Sequence, residues 1–143
     1  MSGEPFIDTN VWVYAHLETP DDPKGRRARD LVESEHRFVL STQVLNEYYA
    51  AMLKNRATNE WIQNSVERMI RCCEVRMISL SVIRQAYHVK NRYGFSIWDC
   101  LVISSALDAG CPLLYSEDLQ HGQRIDGNLL VVNPFLEDSV RRS

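Results

Sequence analysis

The sequence has no C-x-x-C pair, and Cys72, Cys73, Cys100 and Cys111 have no matching pair of histidines beside them. A zinc site or dithiol redox motif therefore has no support, and buried, reduced thiols are expected instead. No uninterrupted apolar stretch approaches the ~18 residues of a membrane span, and the N-terminus shows no basic segment followed by an apolar one. A cytoplasmic location is the default expectation. Basic residues are also in the minority: 16 Lys and Arg against 19 Asp and Glu leave a net charge of −3, which argues against a broadly basic nucleic-acid coat while leaving room for a local basic groove. Repeats and low-complexity segments are absent, and His16, His36, His88 and His121 are scattered as surface or core histidines usually are. What remains is ordinary globular composition, 45% hydrophobic and 24% charged over 143 residues, enough for one core and one domain over residues 1–143.

Five short strand-like segments, Pro5 to Asp8, Phe38 to Ser41, Met77 to Leu80, Leu113 to Ser116 and Leu129 to Val132, alternate with helix-like ones. A helix is expected from Pro23 to Glu35, and apolar residues recur at helical spacing in Gln43 to Asn55, Trp61 to Cys73, Ser81 to Tyr93 and Ile97 to Ala109. Gly110 and Pro112 end the last of these. Parallel strands need crossover connections, so this alternation predicts an α/β fold with a mainly parallel sheet covered by helices.

In such sheets ligands gather beyond the carboxyl ends of the strands, where strand order reverses. Asp8 ends the first strand, and Ser116, Glu117 and Asp118 stand at or just past the end of the fourth. With Thr42 as cap of the helix after the second strand, Glu47 falls one turn inside it, in line with Val44 and Ala51. Ser96 caps the last helix and makes Asp99 its third residue. Each acid has an ordinary structural reading: Asp8 as a helix cap, Asp99 as half of a capping box with Ser96, Glu47 as a solvated helix residue, Asp118 as a turn residue. Taken together they form a more specific pattern, because convergent carboxylates repel one another and raise one another's pKa values unless a cation is present. Oxygen ligands without thiolate or imidazole suit Mg²⁺ or Mn²⁺ better than Zn²⁺.

The segments "FIDTNVWVY", "STQVLNEYY", "SIWDCLVISSAL" and "LLYSEDLQHG", in this order, resemble the four acidic motifs of PIN-domain nucleases, above all the small single-domain ribonuclease toxins of VapBC-type toxin–antitoxin pairs. The terminal "LLVVNPF" resembles the last strand of that group. The resemblance implies a three-layer α/β/α sandwich with a mainly parallel five-stranded sheet, Mg²⁺ or Mn²⁺ dependence, hydrolysis of RNA phosphodiester bonds, a homodimer and a cognate protein antitoxin. Carried over by position, it makes Asp8, Glu47, Asp99 and Asp118 the catalytic and metal-binding quartet, with Asn10 and Ser116 as polar companions. Many members have a further acid where this chain has Gln120; Glu117 is the neighbouring acid that could stand in.

An acidic site needs cations outside it to hold RNA, and the candidates are Lys24, Arg26, Arg27 and Arg29, with Lys54, Arg56, Lys90 and Arg92. Solvated helix faces explain these residues as well, and His121 could touch a phosphate or serve its loop. Two other functions compete: a PIN-like module that binds RNA or protein without cutting, and a phosphoryl-transfer protein using Asp8 as nucleophile. Aspartate phosphatases, however, have a second acid where Asn10 stands.

Overall fold

Short apolar runs that stop at polar residues build the sheet. The computed structural model describes residues 3–17, 19, 21–34 and 36–136. Strands β1 (Phe6–Ile7), β2 (Val39–Ser41), β3 (Glu74–Arg76), β4 (Leu113–Tyr115), β5 (Arg124–Ile125) and β6 (Leu129–Val132) lie in the order β3-β2-β1-β4-β6-β5. All neighbours are parallel except β5 and β6. Helices α1 (Thr9–His16) and α2 (Pro23–Val32) connect β1 to β2, α3 (Thr42–Lys54) and α4 (Asn59–Cys72) connect β2 to β3, and α5 (Leu80–Tyr93) and α6 (Ile97–Asp108) connect β3 to β4. Right-handed crossovers running outward from β1 put α1 to α4 on one face; the return from β3 to β4 runs the other way and puts α5 and α6 on the opposite face. The packing agrees: α1 meets α2 and α3, α3 meets α4, and α5 meets α6. The result is a three-layer α/β/α sandwich. Among the described residues no helix is long and apolar enough to cross a membrane.

The structure corrects the expected elements in four places. The sheet has six strands rather than five, because Arg124–Ile125 folds back on β6 through a turn in which Asp126 and Gly127 both take positive φ, 52° and 73°. The loop is Asp126-Gly127-Asn128 between paired Ile125 and Leu129, and residues that tolerate positive φ are what such short hairpin loops need. The third strand is Glu74–Arg76, not Met77 to Leu80. Met77 and Leu80 are 76% and 68% exposed, and Ser79 accepts a hydrogen bond from Val82 N–H, so a helix cap interrupts that apolar run. Charged Glu74 and Arg76 suit an edge strand, whose outer side must resist pairing with another chain. Ser41, not Thr42, is the N-cap of α3, accepting from Val44 N–H; Thr42 Oγ1 accepts instead from Ile78 N–H. Cys72 is exposed, whereas Cys73, Cys100 and Cys111 are buried and free as expected.

One buried polar node locks α1, α3 and α4 together. The Tyr48 hydroxyl lies 2.8 Å from His16 Nδ1 and 2.7 Å from Ser65 Oγ, with the Tyr48 side chain fully buried. Burial pushes the His16 imidazole down to about 4, aided by the charge of Arg68, so the ring is neutral at pH 7. Tyr48→Phe removes one hydroxyl but strands two partners. The expected loss is roughly 1–3 kcal/mol, the cost of leaving a buried polar group unpaired, read as a lower denaturation midpoint with an unchanged far-ultraviolet spectrum.

Candidate active site

Strand order reverses between β1 and β4, and the crevice beyond their carboxyl ends is where an α/β sheet receives ligands. The ladder continues past both strands, Asp8 N–H donating to Tyr115 C=O and Ser116 N–H to Val132 C=O, each at 3.0 Å. Asp8 and Ser116 are thereby anchored side by side. Asp8 is indeed the N-cap of α1, its Oδ1 accepting from Thr9 N–H at 2.7 Å, while Ser116 Oγ donates to its Oδ2 at 2.8 Å.

Hydrogen bonds of this kind ordinarily lower a carboxyl pKa. Here the net effect is opposite. Burial at 4% exposure pushes Asp8 up to about 7, with the charges of Asp118 and Glu47 adding to the rise against the Ser116 and Thr9 bonds. Asp99, third residue of α6, donates its N–H to Ser96 Oγ at 3.2 Å as the capping arrangement requires. Its carboxyl is nevertheless raised, by burial first and by the Asp118 charge, against a lowering hydrogen bond with Ser96.

Glu47 enters from α3, its Oε1 accepting from Thr9 Oγ1 at 3.0 Å and from Gln43 Nε2 at 3.4 Å. Asp118 is exposed on the loop after β4, its Oδ2 accepting from Asn10 Nδ2 at 3.0 Å and its N–H donating to Ser116 Oγ at 3.2 Å. Asn10 Oδ1 in turn accepts from Glu117 N–H at 3.2 Å, so Asn10 and Ser116 tie the β4 loop to the start of α1. Asp8, Glu47, Asp99, Glu117 and Asp118 all line one open cleft of about 460 Å³. Among the described residues, no three His, Cys, Asp or Glu side chains are grouped as a ready-made metal site. Asp8, Glu47 and Asp118 each lean on their own hydroxyl or amide donor.

The candidate cations are divided. On α2, Lys24 Nζ pairs with Glu117 and lies 5.3 Å and 5.6 Å from the centres of the Tyr14 and Phe135 rings, and Arg27 donates to Phe135 C=O. Arg26 is exposed, Arg29 half-buried. Away from the cleft, Lys90 donates to Phe95 C=O and Arg92 pairs with Asp126. Lys54 and Arg56 are exposed at the end of α3, and His121 Nδ1 accepts from Asn133 N–H at 3.1 Å, as a loop histidine does. Of the cleft residues that sequence pattern does not single out, three stand beside or one turn from an acid: Thr9, Gln43 and Trp98. Gln43 stands one turn before Glu47, where side chains four apart meet, and its Nε2 also donates to Trp98 C=O at 3.1 Å. Position relative to the acids is the available signal for all three.

By sequence, no curated protein matches the chain significantly. Solved structures do match in fold. A toxin–antitoxin complex from Klebsiella pneumoniae superposes with a TM-score of 0.71 at 16% identity, covering 92% of this chain and 98% of that one. The sarcin-ricin-loop-cleaving toxin VapC20 of Mycobacterium tuberculosis gives 0.65 at 17% identity over 79% and 88%. VapBC2 of Rickettsia felis, bound to a promoter DNA fragment, gives 0.61 at 20% identity over 89% and 96%. At these identities the likeness is one of architecture. The PIN-domain family model, however, matches residues 6–126, a span that runs from β1 through β5 and takes in all four acidic positions, and the chain belongs to the PIN-domain family.

Proposed function

We propose that the chain is a Mg²⁺- or Mn²⁺-dependent endoribonuclease, the toxin of a toxin–antitoxin pair, acting in the cytoplasm as a homodimer and held in check by a cognate protein antitoxin. The observation that carries the reading is that Asp8, Glu47, Asp99 and Asp118 line one cleft at the reversal of strand order, with the charges of Asp118 and Glu47 helping to raise Asp8. A family nuclease needs such a site, and the toxins among the structural neighbours support the assignment of partner and role.

The residues present fit a hard divalent cation: the acids at the cleft offer oxygen donors, with no thiolate or imidazole among its lining residues, and Asp8 and Asp99 are raised by burial first and then by neighbouring carboxylate charge, Asp118 and Glu47 on Asp8 and Asp118 on Asp99. Asp8, Asp99 and Asp118 would hold it directly or through water, and Glu47 would orient or deprotonate the attacking water or hold a second ion. When bound, such a cation eases loss of a proton from that water and offsets charge on the phosphate oxygens. The chain supplies the rest. Thr9 and Gln43 both donate to Glu47 Oε1, which fixes the carboxylate and would leave its other oxygen to take a proton. Ser116 and Asn10 donate to Asp8 and Asp118 and would stand one step behind a bound ion, positions whose loss typically costs roughly 10- to 100-fold in affinity or activity. Asp8 as a phosphorylated nucleophile is disfavoured by its buried carboxylate, both oxygens of which already accept hydrogen bonds.

The test is direct. Single-stranded RNA should be cut with Mg²⁺ or Mn²⁺ and left intact in excess chelator, and expression without a partner should arrest growth. RNA binding with no cleavage under either metal would assign the chain to the non-cutting modules instead.

A further inference from the structure

The cleft has more apolar wall than a phosphate needs. Val13, Tyr14, Ala51, Val102 and Trp98 line it together with the acids. A reaction confined to one phosphodiester uses the carboxylates alone, so the apolar portion calls for a part of the substrate with an apolar face. Trp98 is the residue best placed to meet it. The residue is 62% exposed, and its indole has no ring contact or hydrogen bond among the described residues. Its backbone is not free: it is the second residue of α6, and Gln43 Nε2 donates to its carbonyl at 3.1 Å. The same Gln43 nitrogen lies 3.4 Å from Glu47 Oε1, so one side chain braces both Glu47 and the helix turn that carries the tryptophan. An exposed indole on a fixed backbone beside an acidic cleft is an aromatic platform, and bases stack on such platforms with little regard to sequence.

Resting on the nuclease reading above, we infer that Trp98 stacks on an unpaired nucleobase next to the scissile phosphate, making it a substrate-binding residue that selects single-stranded or looped RNA. Trp98 and Asp99 are consecutive residues in the first turn of α6, and both line the cleft. A base held in a duplex keeps its faces covered by its own stack and cannot lie on the indole.

Three tryptophans share the fluorescence, but Trp12 is buried and Trp61 is 39% exposed on α4. Titration with an unstructured oligoribonucleotide in the presence of Mg²⁺ should quench the wild type, and Trp98→Phe should abolish most of that change while retaining binding. In cleavage assays Trp98→Ala should raise KM by roughly 5- to 150-fold, the range of a base–aromatic stack, with kcat less affected, and Trp98→Phe or Trp98→Tyr should recover most of the loss. Abasic substitution scanned across the cleavage site should weaken the wild type at one position and leave Trp98→Ala indifferent there. Unchanged KM in a folded Trp98→Ala, additive effects at every abasic position, or loss of self-association with RNA kinetics intact would each overturn the inference, the last by placing Trp98 in a protein interface. The two readings fail separately: quenching at Trp98 without any cleavage sinks the nuclease, and cleavage indifferent to Trp98 sinks the stacking site.

Discussion

Asp8→Asn should abolish RNA cleavage and, in chelator at about pH 8, yield a protein more stable than the wild type. The unfolded chain ionises Asp8 near its ordinary value of 3.8, whereas the folded chain holds the proton up to about 7. Between those values folding takes up a proton, so the Asp8 contribution to stability falls as pH rises from about 4 to about 7 and stays low above it. A rise of that size corresponds to on the order of 4 kcal/mol at most. Asn removes the buried charge, and its amide oxygen can still accept from Ser116 Oγ or Thr9 N–H. Melting curves against pH, in chelator, should show the wild type losing stability across that window and the mutant flat by comparison. A mutant less stable than wild type above neutral pH would refute the buried-carboxylate account. Donors one step behind a metal ligand cost up to about 100-fold when lost, so losing Asp8 itself should cost at least that much, and the same substitution should relieve growth arrest without unfolding the protein.

Asp99→Asn should reverse its rank with metal. If Asp99 did no more than complement the α6 N-terminus, its neutralisation would cost about 0.3 to 1 kcal/mol. The raised Asp99 carboxyl points the other way: burial and the Asp118 charge outweigh the Ser96 hydrogen bond. Without metal the mutant should therefore melt at or above the wild type. With Mg²⁺ or Mn²⁺ the wild type should gain more, since a ligand bound only by the folded state adds about 2.7 kcal/mol at a hundred times its dissociation constant. Cleavage should fall by about 100-fold or more. Thermal unfolding of both proteins, each in chelator and in added metal, gives the answer in four curves; an equal metal response would remove Asp99 from the site.

Much of the fold is legible in local pattern. Leu129–Val132 stands out as four apolar residues between turns, and Ser96 with Asp99 stands out because a capping box has a fixed spacing. The third strand is misplaced when apolar character in Met77 to Leu80 is trusted, since Met77 and Leu80 are exposed rather than buried; the actual strand, Glu74–Arg76, is at the sheet edge, and an edge strand carries charges that hide it from hydrophobic pattern. Strand β5 is two residues long, too short for any period to register.

Alone, the sequence determined the alternation of strands and helices, the helix starts at Asp8 and Ser96, and the placement of an acid at or near the end of two strands, because each depends on neighbours within a turn or two. Tertiary structure decided what those acids are to one another. Asp8 and Asp118 stand 110 residues apart in numbering, and only the pairing of β1 with β4 brings their loops together. The same pairing buries Asp8 and sets its proton affinity, which no local pattern encodes. Likewise, the Gln43 side chain reaches Trp98 because α3 and α6 both begin at the cleft beside the carboxyl edge of the sheet, a fact of strand order rather than of composition.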